Sequence, residues 1–256
     1  MSSFSDVDSS PRADALLRYL DDTDGFMAAF KAYVVAALRR YASEGLVLDV
    51  GCGVGHDLGR LSAAGMVPVG VDLSFTALRR ARAVCGSVVR GDGSRLPFRG
   101  DVFDGCRVER VLQHVVDPGA VLDEIMRVVR PGGVVAVLEP DHTTMQVESS
   151  TDPSGNLLAR CVLAQHPGIG AQTAEVLSSR GWIVDDVVTE HSFGYALEKL
   201  PIDAEAATAR AVRKGELSSS VRERWLAEQT ERTRNGSFRA AWTKILVIAR
   251  APEQRH

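Results

Sequence analysis

The stretch "LVLDVGCGVGHDLGRL", residues 46–61, sets Gly51, Gly53 and Gly55 directly behind a run of apolar residues. A short aliphatic run that ends in glycines reads as a strand stopping at Val50, followed by a turn and a helix. Glycine is required where φ must be positive or where a ligand must come close to the backbone. The turn is therefore a candidate ligand site at the carboxyl end of a first strand. A nicotinamide dinucleotide turn, G-x-G-x-x-G, would place its third glycine at position 56, where this chain has His56. The spacing here is G-x-G-x-G, with Asp49 just ahead of it.

Working outward, the same alternation repeats. "VPVGVD" (67–72), "SVVRGD" (87–92), "FDGCRVE" (103–109) and "GGVVAVLEP" (132–140) read as further strands. "FTALRRARAV", capped by Ser74, and "PGAVLDEIMRVV" read as the helices between them. A helix "IGAQTAEVLSSRG", a strand "WIVDDVVTEHSF" and a closing strand "AWTKILVIAR" complete the pattern. Residues 12–43 read as helical, with a break at "DDTDG" where Thr23 or Asp24 would cap the second part. Residues 195–235 form a charged helical stretch. Strands alternating with helices predict an α/β fold with a mostly parallel sheet and helices on both faces.

The totals narrow the function. A chain of 256 residues is long enough for one large domain. Residues 1–11 are expected to be a flexible tail and 12–256 a single domain. A net charge of -3 gives no basic field for nucleic acid. Cys52, Cys85, Cys106 and Cys161 form no CxxC pair, so reduced thiols of a cytoplasmic protein are expected. No run approaches a membrane span, and no His/Cys/acid spacing suggests a metal.

Five segments in order carry a family resemblance. "LDVGCGVG", "VGVDLS", "RGDGSRLPFRGDVFD", "RVLQHVVDP" and "MRVVRPGGVVAVLEP" together resemble the motifs of class I S-adenosylmethionine-dependent methyltransferases, over residues 46 to 140. The nearest subgroup is the small-molecule type similar to ubiquinone-biosynthesis methyltransferases. The resemblance implies a Rossmann-like seven-stranded sheet with a helical cap, S-adenosylmethionine as cofactor and S-adenosylhomocysteine as product. It implies that the turn Gly51-Cys52-Gly53-Val54-Gly55 holds the cofactor. Asp72, at the end of the second strand, would accept both ribose hydroxyls, and Asp49 would lie beside the methionine amino group. Asp92 and Gly93 would face the adenine amine, and Leu73 and Leu96 either flank the adenine or belong to the core. Glu109 and Arg110 would flank the methionine end, although Glu109 departs from the small or polar residue common there.

Methyl transfer from a sulfonium is an in-line displacement that mainly needs alignment and water exclusion. A base is needed only if the acceptor must lose a proton. His114, and His142 beside Asp141, are the candidate catalytic residues, with packing or a solvated loop pair as the plainer alternatives; His191 reads as structural. Segments 12–43, 141–170 and 195–235 are expected to form a substrate cap. Trp225 and Phe238, and the stripe Tyr19, Phe26, Phe30 and Tyr33, would either line it or pack its core. The leading expectation is methylation of an O, N or C atom of a small molecule in specialised metabolism, by a monomer or homodimer. The alternatives are a cyclisation or pericyclic enzyme of the same fold, a macromolecule methyltransferase or a non-catalytic cofactor-binding regulator.

Overall fold

The computed structural model describes Asp8, residues 28–162 and residues 164–253. Its strands are β1 Leu46–Val50, β2 Val67–Asp72, β3 Val88–Arg90, β4 Phe103–Glu109, β5 Val129–Val147, β6 Ile183–Gly194 and β7 Ala240–Arg250. They form one seven-stranded sheet in the order β3-β2-β1-β4-β5-β7-β6. β1 to β5 run parallel, and β7 inserts antiparallel between β5 and β6. The strand order reverses at β1, between β2 and β4. The carboxyl edge beside that reversal is where open α/β sheets bind ligands.

The helices are α1 Ala28–Tyr41, α2 His56–Ala63, α3 Phe75–Val84, α4 Pro118–Val128, α5 Leu157–Arg160, α6 Ile169–Ser179, α7 Ala204–Arg213 and α8 Ser219–Arg234. Alternate strand residues point to opposite faces, and the core splits accordingly. Val47, Val134, Ala136 and Leu138 pack with Val34 and Leu38 of α1 and Leu61 of α2. Leu48, Val135 and Val137 pack on the other face with Val121, Leu122 and Ile125 of α4 and Leu177 of α6. Ser74 caps α3 as expected, its hydroxyl accepting from Ala77 N at 3.1 Å.

β5 runs further than the sequence pattern indicated. The pattern ends it at Pro140, yet the strand continues to Val147, with an irregularity between Asp141 and Gln146 in its pairing with β7. The pairing partner supplies the hydrogen bonds that outweigh Pro140 at this point. Beyond the carboxyl edge, Met145 and Val147 of this extension pack with Leu157, Leu158, Ala207, Trp225, Phe238 and Trp242 in a second core. Trp225 and Phe238 are fully buried there, so they pack this core instead of lining an open surface. Of the aromatic stripe, Phe30 is half-buried and Tyr33 donates to Asp186 of β6. Tyr19, Phe26, Thr23 and Asp24 lie outside the described residues.

Candidate active site

The glycine turn sits at the strand-order reversal. Gly51, Gly53 and Gly55 have φ of 72°, 52° and 89°, a region that side chains with a Cβ rarely adopt. The N–H groups of Gly51 and Cys52 donate to Val71 O at 2.8 and 3.1 Å, fixing the turn to the end of β2. A Cβ on Gly51 would stand 2.3 Å from Val111 Cγ2, so the turn also lies against the chain leaving β4. Cys52 is buried, and burial pushes its thiol far up, which makes it packing rather than a nucleophile.

Asp72 ends β2 beside this turn. Its Oδ2 accepts from Gly53 N and its Oδ1 from Ser74 N, both at 2.8 Å. Burial raises its pKa, opposed by those two N–H groups. Leu73 next to it is 46% exposed, an apolar surface at the rim, whereas Leu96 is buried in the main core. Asp92 is exposed, and its Oδ1 closes a turn onto Ser94 N and Oγ at 2.9 and 2.8 Å. A Cβ on Gly93 would meet Val50 Cγ1 at 3.2 Å, so the chain passes close to the end of β1 there. Asp8 reaches the start of α3, accepting from Ser74 Oγ and Phe75 N, each at 2.7 Å.

Asp49 is fully buried, and one guanidinium organises its surroundings. Arg107 of β4 donates to Asp49 Oδ1 at 2.7 Å and to Asp57 Oδ2 at 2.6 Å, and it pairs with Glu109. Lys31 of α1 donates to Asp57 Oδ2 at 2.5 Å and lies 3.4 Å from Glu109 Oε1. Burial raises the Asp49 pKa to about 6 against the pull of Arg107, and Asp49 Oδ2 is buried with no partner among the described residues. Asp57 is buried too, yet Arg107 and Lys31 hold it below the usual carboxylate range. Glu109 thus faces inward to this cluster, and Arg110 lies 3.6 Å from it with a positive φ of 56°. Sequence reasoning missed Lys31, Asp57 and Arg107. The available signal was Arg107 itself, a charge between Cys106 and Val108 in a strand otherwise fit for burial.

Beyond β4 the chain is held by a second buried acid. Glu139 Oε1 accepts from Val111 N and Leu112 N at 2.8 and 2.7 Å, and its Oε2 has no partner among the described residues. Burial raises the Glu139 pKa to about 8. This clamp holds the chain that carries Gln113 and His114, and Gln113 meets His142 of β5. His142 lies within β5, not in a loop after it, and is 4% exposed. Its Nε2 is 2.6 Å from Gln113 Oε1, and its Nδ1 is buried without a partner among the described residues. An amide oxygen only accepts, so Nε2 carries the proton and Nδ1 the lone pair. Burial lowers the pKa of His142 to about 4 and that of His114 to about 3, so both rings are neutral near pH 7. Asp141 accepts from Thr143 N and Oγ1 at 3.0 and 2.5 Å rather than from the imidazole. His191 on β6 is 3.4 Å from Thr243 Oγ1, across the sheet from these groups.

These residues fit S-adenosylmethionine. The turn leaves no room for a Cβ at Gly51, Asp72 offers a carboxylate at the next strand end, and Leu73 supplies an apolar rim. Oδ2 of Asp49, unpartnered among the described residues, is an acceptor suited to an ammonium group. The chain is also similar to known methyltransferases. Residues 48–137 match the family model described as "Methyltransferase domain". A 37.1 kDa protein in transposon TN4556 of Streptomyces fradiae is 32% identical over 256 residues, covering 91% of this chain and 70% of that protein. A demethylmenaquinone methyltransferase of Corynebacterium kroppenstedtii is 39% identical over 93 residues, covering 36% of this chain and only 41% of that enzyme. Phosphoethanolamine N-methyltransferase 2 of Haemonchus contortus, solved with S-adenosyl-L-methionine, shares the fold at a TM-score of 0.59 and 18% identity, covering 98% of this chain and 60% of that one. The chain belongs to the class I S-adenosylmethionine-dependent methyltransferases, whose methyl donor is S-adenosylmethionine.

Proposed function

We propose that this methyltransferase acts on a small molecule whose acceptor atom loses a proton as it is methylated, with His142 as the base. The observation that carries this reading is the buried Nδ1 of His142 within β5, unprotonated and without a partner among the described residues. When bound, S-adenosylmethionine supplies an activated methyl group and leaves as S-adenosylhomocysteine. Asp72 would hold the ribose, Asp49 the methionine ammonium, and the turn from Gly51 to Gly55 the backbone-facing side of the cofactor. Asp92 with Gly93 would approach the adenine, and Glu109 and Arg110 would border the methionine end. His142 Nδ1 would take the acceptor proton while Gln113 keeps the opposite nitrogen protonated. His114, in the same loop, would shape the pocket and keep it dry.

A small molecule is favoured over a macromolecule on three grounds. The second core, around Met145, Trp225 and Trp242, supports a reading in which the chain beyond the carboxyl edge would cap the site, where a polymer would need an open face. The net charge of -3 offers no electrostatic field for nucleic acid. The relative named demethylmenaquinone methyltransferase is itself named for a small-molecule substrate. The test is to incubate the protein with methyl-labelled S-adenosylmethionine and a bacterial extract, then to separate products by size. Label in the small-molecule fraction is expected. Label confined to protein or RNA would overturn the reading.

A further inference from the structure

We infer that Arg107 and Lys31 are positioning residues that couple helix α1 to the cofactor turn. The inference rests on the cofactor site described above. Asp49 precedes the turn in β1, and Asp57 follows it in the first turn of α2. The guanidinium of Arg107 bonds both, at 2.7 and 2.6 Å, so a single rigid fork holds the two ends of the glycine turn. It also fixes Asp49 so that Oδ1 is engaged and Oδ2 is left for another cation.

Lys31 extends this clamp to a different part of the chain. It bonds the same Asp57 oxygen at 2.5 Å and approaches Glu109, with its side chain only 4% exposed. Arg60 reaches the other oxygen of Asp57 at 3.1 Å from the solvent side. Burying so many charges is costly, and an apolar cluster of the same volume would serve the fold as well or better. The charges are explained if they set geometry. Whatever shifts the turn must shift Asp57, and whatever shifts Asp57 must loosen Lys31 and with it α1. Linkage then runs both ways: cofactor that fits the turn tightens α1, and an undocked α1 weakens cofactor binding.

The test measures binding of S-adenosylhomocysteine by calorimetry and backbone hydrogen exchange in α1, on the full chain. Variants are R107K, R107M and K31M, with R250K in the peripheral Arg250–Asp185 pair as control. A lysine at 107 keeps the charge but cannot fork to both carboxylates. Expected results are a Kd raised about tenfold or more in R107K, at least as much in R107M, about fivefold in K31M and less than twofold in R250K. Exchange in α1 should slow when the wild type is loaded, and this slowing should be lost in K31M. If R107M does not fold, R107K and K31M decide. A Kd within twofold of wild type in R107K, even with a lowered melting temperature, would show a purely structural role and overturn the inference. So would full protection of α1 on loading in K31M. A wild type that takes no S-adenosylhomocysteine would instead overturn the cofactor site itself.

Discussion

Asp49 and Asp57 stand at opposite ends of the glycine turn, and Arg107 joins them through two separate nitrogens, Nη1 to Asp49 and Nη2 to Asp57. The turn is therefore a loop closed twice, once by covalent chain and once by charge. Its electrostatics have a direct consequence for pH. The Asp49 carboxyl is raised by burial to about 6, and it faces Arg107 and Glu109 of β4 and Asp57 of α2. Its folded pKa lies above the unfolded value of about 3.9, so its contribution to stability is present below pH 4 and is lost as pH rises through 6. A cofactor ammonium needs the ionised form. Affinity for S-adenosylhomocysteine should therefore rise about tenfold from pH 5 to pH 7, and D49N should flatten that rise. Calorimetry across this range, on both proteins, checks it.

Asp72 should matter more for binding than for folding. Its oxygens accept Gly53 N and Ser74 N, both of which water could satisfy once the carboxylate is gone. Two ribose hydroxyls on one carboxylate are charge-assisted bonds. D72A should weaken cofactor binding by about 100-fold, or about 2.7 kcal/mol, with the melting temperature changed by only a few degrees. Equal affinity in D72A would remove this residue from the site.

Gly51 is constrained by space as well as by φ. A Cβ there would meet Val111 Cγ2 at 2.3 Å, while φ is 72°. G51A should cost about 1–3 kcal/mol of stability and push the 111–114 chain outward. The double variant G51A/V111A removes the clash but keeps the positive φ. It should recover part of the loss, and urea unfolding of the two variants separates the steric share from the backbone share.

The sheet was legible in the sequence because its strands are short apolar runs and its turns are glycines and acids. Leu46–Val50, Val67–Asp72 and Phe103–Glu109 fall where the periodicity put them. The extension of β5 to Val147 was not legible, since Pro140 reads as a stop and the antiparallel partner β7 lies about a hundred residues on. The carboxylates of the site were readable from their places at strand ends. Lys31 and Asp57 were not, because only tertiary contact separates a buried ion from a surface one, and Arg107 showed only as a charge between Cys106 and Val108. His142 was named as a base from its neighbour Asp141, whereas its contact is Gln113, distant in sequence.

Glu139 gives the clearest stability prediction. It is fully buried, its Oε1 accepts two N–H groups of the chain after β4, and its pKa is raised by burial to about 8. The folded pKa exceeds the unfolded value of about 4.3, so stability from this group is full below pH 4 and falls away up to pH 8. E139Q keeps an acceptor for Val111 N and Leu112 N but cannot ionise. The fall in melting temperature of the wild type between pH 6 and pH 8.5 should be smaller in E139Q. Identical slopes would show that Glu139 is not the group responsible.

The pair His142 and Gln113 yields the prediction that bears on chemistry. With Nε2–H donated to Gln113, the lone pair of Nδ1 faces away, and the low pKa of about 4 keeps the ring neutral at physiological pH. A neutral ring is the competent form of a base, so the rate should lose its acid limb near pH 4 and not near 6.5. H142A should lower kcat on the acceptor found by the labelling experiment by about 10²–10³-fold, with affinity for S-adenosylhomocysteine within twofold of wild type. Q113L removes the acceptor that fixes the tautomer and leaves the imidazole in place. It should lower kcat less, by about tenfold, because the ring then spends part of its time with the proton on Nδ1. An H142A enzyme with unchanged kcat would mean that the acceptor needs no base, as an amine or thioether with a free lone pair would not.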